Sequence, residues 1–152
     1  MSASLPSLIE GALKSGDPQE ALTASVQHFG CQAGTVHLLR NGVLKLAAHS
    51  GIPPQVAQIV ETVPIGKGIA GLAAERRQPI TICNLQTDTS GQARPGAKAT
   101  GMEGSLAVPM LDGGELRGVL GIAKAAAYDW SDEETQLLLR IAAGLAEKTP
   151  PA

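Results

Sequence analysis

The chain has 152 residues, with 12 basic and 14 acidic side chains and a formal net charge of −2; that length fits one compact domain spanning 1–152, and the charge leaves no basic face for nucleic acid. Hydrophobic residues make up 43% and charged residues 17%, a globular composition in which no apolar run approaches the roughly 18 residues of a membrane span. The start, MSASLPSLIEG, lacks the basic segment and apolar centre of a secretory signal, so the expected location is the cytoplasm, with neither membrane nor nucleic acid as a partner.

Ser4 and Pro6 open a short helix whose apolar stripe is Leu8, Ile9, Ala12 and Leu13, and Gly16 ends it. Asp17, Pro18 and Glu20 then supply an N-cap, a first-turn proline and a third-position carboxylate for a second helix carrying Leu22, Val26 and Phe29. The period changes in GTVHLLRNGVLKLAAHSG, where β-branched and apolar residues flank Asn41-Gly42, a strong hairpin signal. A turn centred there sets His37 opposite Leu46, Leu39 opposite Leu44 and Leu38 opposite Lys45. Neither face is uniformly polar, so the strand pair is covered at least partly from both sides.

PPQVAQIVE predicts a short helix with Val56, Ile59 and Val60 inward. In VPIGKGIAGLAAERRQPITICNLQTD, Ile69, Leu72 and Ala73 form a helical stripe that must end before Pro79, and PITIC is a third strand. Residues 84–103 show no periodicity, and a structureless stretch of that length inside a small domain is usually a lid, a binding loop or disorder. GSLAVPM and ELRGVLGIA, joined by Leu111-Asp112-Gly113-Gly114, make a second hairpin. Ser131 and Glu134 form a capping box with Asp132 and Glu133 in the same turn; the helix they start carries Leu137, Leu138, Ile141, Ala142 and Leu145. The two terminal stripes exceed what one sheet face needs and invite a partner helix. Phe29, Tyr128 and Trp130 are the sole aromatic residues, so the interior from Gly30 to Ala127 is built from aliphatic side chains.

The pieces PIGKGIAG with a proline about ten residues on, SLAVPML, GELRGVLGIAKA and WSDEETQLLLRIA, in this order over roughly 17–147, resemble a GAF domain, the small-molecule sensing module of many signalling proteins. The resemblance implies an α+β, GAF/PAS-like fold. With the five expected strands numbered along the chain, it has a central antiparallel sheet in the order 2-1-5-4-3, terminal helices on one face, and short helices plus the long loop roofing a pocket on the other. It also implies a homodimer formed through the terminal helices, acting as a sensor or meeting a signalling protein. On that strand order Cys31 and Cys83 lie about 14 Å apart, too far for an intrachain disulfide.

Gly66-Lys67-Gly68-Ile69-Ala70-Gly71 matches the letters of a phosphate-cradling turn but lacks the parallel crossover that gives them meaning. Two explanations stand: a tight corner, or a small polar or anionic ligand at the free N–H groups of Ile69, Ala70 and Gly71 beside Lys67. In the long loop Asp88, Arg94, Lys98 and Glu103 either are solvated charges or, at Asp88 and Arg94, fix a polar ligand. Asn84 replaces an aspartate usual in GAF domains. His37, alone on an apolar strand face, reads as a hydrogen-bonded core residue and not as a metal or haem ligand, and it can face a pocket ligand. The candidate ligand contacts are therefore His37, Leu46, Lys67, Gly68, Ile69, Asp88, Arg94, Glu103 and Ser105.

No metal, haem or bilin is expected: the histidines and cysteines have no ligand spacing, Cys83 stands at the wrong end of its strand for a bilin, and the pocket offers no aromatic stacking. Ala123-Lys124 lacks the asparagine of the cyclic-nucleotide signature. Free methionine sulfoxide reductases of this fold carry cysteines in the glycine turn and long loop, where this chain has none. A non-enzymatic module is expected, with such a reductase or a ligand-free dimerisation scaffold as alternatives.

Overall fold

The computed structural model describes residues 5–88 and 100–151. In chain order the elements are α1 (Ser7–Ser15), α2 (Pro18–His28), β1 (Ala33–Arg40), β2 (Val43–Ser50), α3 (Pro54–Ile59), β3 (Thr62–Pro64), α4 (Gly68–Arg76), β4 (Ile80–Ile82), β5 (Gly104–Asp112), β6 (Glu115–Lys124) and α5 (Asp132–Glu147). The strands form one antiparallel sheet in the order β3-β2-β1-β6-β5-β4. The five expected strands keep their predicted neighbours. The addition is β3, which extends the β2 edge through Val43↔Pro64, Leu44↔Val63 and Lys45↔Thr62; three residues ending in proline are too few to show a period.

Asn41 and Gly42 both have positive φ, 52° and 79°, as a type I′ hairpin turn requires. That turn fixes the register His37↔Leu46, Leu38↔Lys45 and Leu39↔Leu44. A bulge then shifts the pairing so that Val36 meets Ala48.

Side chains alternate across a strand, and here the alternation is one of size. On one face Val36, Leu106, Val108, Met110, Leu120 and Ile122 are at most 1% exposed and pack against Ile9 of α1, Leu22 of α2 and Leu138, Ile141 and Leu145 of α5. Burial of each such side chain is worth about 1.5–3 kcal/mol. On the other face the same three strands present Ala33, Thr35, Ser105, Ala107, Gly121 and Ala123. Toward one end of that face α4 packs Ile69, Ala73 and Ala74 with Leu44, Ile80, Ile82 and Val119 in a second cluster.

Helix α5 begins with the predicted box: Glu134 N–H donates to Ser131 Oγ at 3.1 Å, and Ser131 N–H donates to Glu134 Oε1 at 2.9 Å. Its stripe is not surplus. Leu138, Ile141, Ala142 and Leu145 are all 0% exposed within the single chain, because α1 and α2 close over the sheet beside α5. Two stripe assignments need correction: Leu8 of α1 is 57% exposed and Ile59 of α3 is 60% exposed, since α1 buries only Ile9 and Leu13, and the six-residue α3 only Val56.

Candidate functional site

The small side chains of β1, β5 and β6 leave room above them. Between this floor and a roof made by α3, β3, the first turn of α4, Leu85 and Met102 lies a cavity of about 480 Å³, within the size range of small-molecule sites. Val56, Val63, Ile69, Leu85, Met102 and Val119 give it an aliphatic wall, and Thr35, His37 and Ser105 bring polar groups to its floor. Lys67 lines it while remaining exposed, and so stands at the mouth.

The glycine turn is shaped by sterics. Gly66 and Gly68 have φ of 86° and 69°, values costly for residues with a Cβ. A Cβ on Gly71 would lie 2.4 Å from the Pro64 carbonyl, and Gly66 N–H donates to the Gly71 carbonyl at 2.8 Å. These contacts account for the motif as a corner. The corner also aims the start of α4 at the cavity: Lys67, Gly68, Ile69 and Ala70 all line it, and no side chain caps the helix.

His37 is 2% exposed. Its Nε2 lies 2.8 Å from the Val60 carbonyl, and its buried Nδ1 has no partner among the described residues. A carbonyl only accepts, so Nε2 carries the proton and Nδ1 the lone pair. Burial holds the imidazole pKa below its ordinary 6.5, with the Val60 bond opposing, and the neutral ring ties the floor to the end of α3 at the roof.

Of the candidate contacts, the cavity gathers His37, Lys67, Gly68, Ile69 and Ser105. Leu46, Asp88 and Glu103 do not line it. Leu46 faces His37 as expected, but β2 lies outside the β1-β6-β5 floor. Glu103 braces the base of the loop: Asn84 Nδ2 donates to its Oε1 at 3.3 Å, Leu85 N–H donates to its carbonyl at 2.7 Å, and its own N–H donates to the Lys124 carbonyl at 2.8 Å. Asp88 ends the described segment on the near side of 89–99, and Arg94 lies outside the described residues. Thr35, Ala107 and Gly121 were not foreseen. Their signal was in the sequence as the small-large alternation of Ser105-Leu106-Ala107-Val108 and Leu120-Gly121-Ile122-Ala123.

Cys31 and Cys83 are free thiols and neither lines the cavity. Burial pushes the Cys31 thiol up to about 11, and a hydrogen bond with Asp129 raises that of Cys83. Among the described residues no group of three or more His, Cys, Asp or Glu is placed to hold a metal ion, and no helix is long and apolar enough to cross a membrane.

Residues 19–147 match the family model of the GAF domain. The chain belongs to the GAF family. Solved structures agree on the fold. The GAF domain of a phosphoenolpyruvate-protein phosphotransferase from Coxiella burnetii superposes with a TM-score of 0.75 at 20% identity, over 93% of this chain and 92% of that one. The corresponding Acinetobacter domain gives 0.76 at 16%, over 93% and 89%. The free methionine-R-sulfoxide reductase of Neisseria meningitidis, solved with its substrate, gives 0.73 at 16%, over 97% and 92%. No curated protein matches this GAF domain.

Proposed function

We propose that this GAF domain is a cytoplasmic regulatory module, not an enzyme, that takes a small molecule into the cavity above β1, β6 and β5 and passes the state of the cavity to α5. The cavity carries the proposal: three adjacent strands set Ala33, Thr35, Ser105, Ala107, Gly121 and Ala123 on one face, opposite buried Val36, Leu106, Val108, Leu120 and Ile122 on the other. A route to α5 runs through hydrogen bonds. Leu85 and Glu103 join the base of the 84–103 segment to Lys124, Tyr128 N–H donates to the Cys83 carbonyl at 3.0 Å, and Tyr128 Oη donates to Glu134 Oε2 at 2.6 Å in the first turn of α5. Trp130 packs against Tyr128 with ring centroids 4.7 Å apart and is the chain's single tryptophan.

A thermal-shift screen of small anions, amino acids, nucleotides and oxo acids tests the cavity. A ligand at about 100 times its dissociation constant stabilises by about 2.7 kcal/mol, or roughly 5–10 °C in a domain of this size. A genuine ligand also changes Trp130 emission, and the change is lost in Tyr128→Phe. Emission that ignores a bound ligand removes the route to α5.

A thiol reductase receives no support from the cavity, since neither cysteine lines it. Homodimerisation through the terminal helices has Leu8, exposed on α1, as its apolar contact. Light scattering on the wild type and Leu8→Glu tests it: a wild-type monomer, or a dimer indifferent to the substitution, removes that interface.

A further inference from the structure

The cavity's chemistry narrows what can occupy it. Its wall is aliphatic, and no Phe, Tyr or Trp stands among its described lining residues, so a flat ring finds nothing to stack on. No Asp or Glu stands among its described lining residues either. An ammonium group would be desolvated there without a counter-charge, which weighs against amino acids and amines. His37 supplies no charge and no free donor: its Nε2–H is committed to Val60 and its Nδ1 is sealed by packing. The charge that remains among the described lining residues is Lys67. No ion pair joins it to a described residue, and it adjoins the uncapped first turn of α4, whose N–H groups favour an anion.

We propose that the cavity takes a small aliphatic monocarboxylate, its hydrocarbon lying over Ala107 and Gly121 against the aliphatic wall of Val56, Ile69 and Val119 and its carboxylate meeting Lys67 at the mouth. This rests on the cavity being a ligand site. A second carboxylate would find no second cation among the described lining residues, so dicarboxylates are rejected. A neutral alcohol of the same length keeps the hydrocarbon contacts and loses the charge-assisted bond.

The test is titration calorimetry of the full chain with hexanoate, octanoate, octanol, octylamine and suberate, on the wild type, Lys67→Ala, and two cavity-filling variants, Ala107→Leu and Ser105→Leu, whose folding is checked by circular dichroism. The expected result is octanoate binding about tenfold more tightly than octanol, a preference erased in Lys67→Ala while octanol affinity is unchanged. Octylamine and suberate are not bound, and either folded filling variant binds nothing. Equal affinities for octanoate and octanol in both wild type and Lys67→Ala overturn the carboxylate assignment and leave the cavity as a ligand site, as does a preference for octylamine. Octanoate binding that survives in a folded filling variant places the carboxylate elsewhere and overturns the proposal. Absence of binding by every probe overturns the cavity as a site for aliphatic ligands, and the monocarboxylate with it.

Discussion

His37 is held by one hydrogen bond and Asn84 by two, and each residue can be tested through them. The native imidazole titrates below 6.5 because its cation would be desolvated, while in the unfolded chain it titrates near that ordinary value. Below about pH 6.5 the unfolded chain therefore binds more protons than the native one, and stability falls as pH drops from 6.5 toward the native value. Urea unfolding at about pH 8 and about pH 5 should show a loss in the wild type that is smaller in His37→Gln; equal losses would mean that other groups govern the acid limb. Asn84 joins two neighbours. Its Oδ1 accepts from Gln86 N–H at 3.0 Å and its Nδ2 donates to the Glu103 carboxylate. Asn84→Asp keeps the first bond but turns the second into a contact between carboxylates, at a cost of about 1 kcal/mol, measured as a shift of the urea midpoint. The sequence marked Asp88, Glu103 and Leu46 as ligand contacts because charge and strand pairing draw attention, whereas the cavity depends on residues notable for their small size.

At the scale of elements, legibility followed how local the deciding interaction is. The β1–β2 register was readable because two residues with positive φ set it, and the start of α5 because its cap is reciprocal within one turn. Ser131→Ala should cost about 1 kcal/mol, measured as a shift in the urea midpoint without a change in slope; an unchanged midpoint would mean that packing alone holds that end. By contrast β3 exists because β2 offers an open edge at Lys45, Leu44 and Val43, a tertiary cause that its own three residues do not encode. The glycine corner falls between these cases. Its letters were plain, but only the approach of Pro64 to Gly71 shows why they are glycines. Gly71→Ala should destabilise by about 1–3 kcal/mol through displacement of β3 from α4, seen as faster amide exchange at Gly66, whose N–H is tied to Gly71.

For the whole molecule, the strand order and the division into a helical face and a roofed face were foreseen through the family resemblance, and the antiparallel hairpins through local pattern. That the α5 stripe is filled within the single chain was not, because periodicity reveals an apolar stripe without revealing how many neighbours share it. Since α5 completes the core, Leu138→Ala should cost about 2–5 kcal/mol in denaturant unfolding of the domain. A much smaller cost would indicate that α5 docks on a preformed sheet as a separable part.

Because Thr35, Ala107 and Gly121 back onto large buried side chains on the opposite surface of β1, β5 and β6, those strands carry two inheritances that can drift apart. A methyl group gained or lost at Thr35, Ala107 or Gly121 reshapes the hollow without touching a single neighbour of α5, so a lineage could exchange one chemical stimulus for another while the machinery that reads it stays as it was.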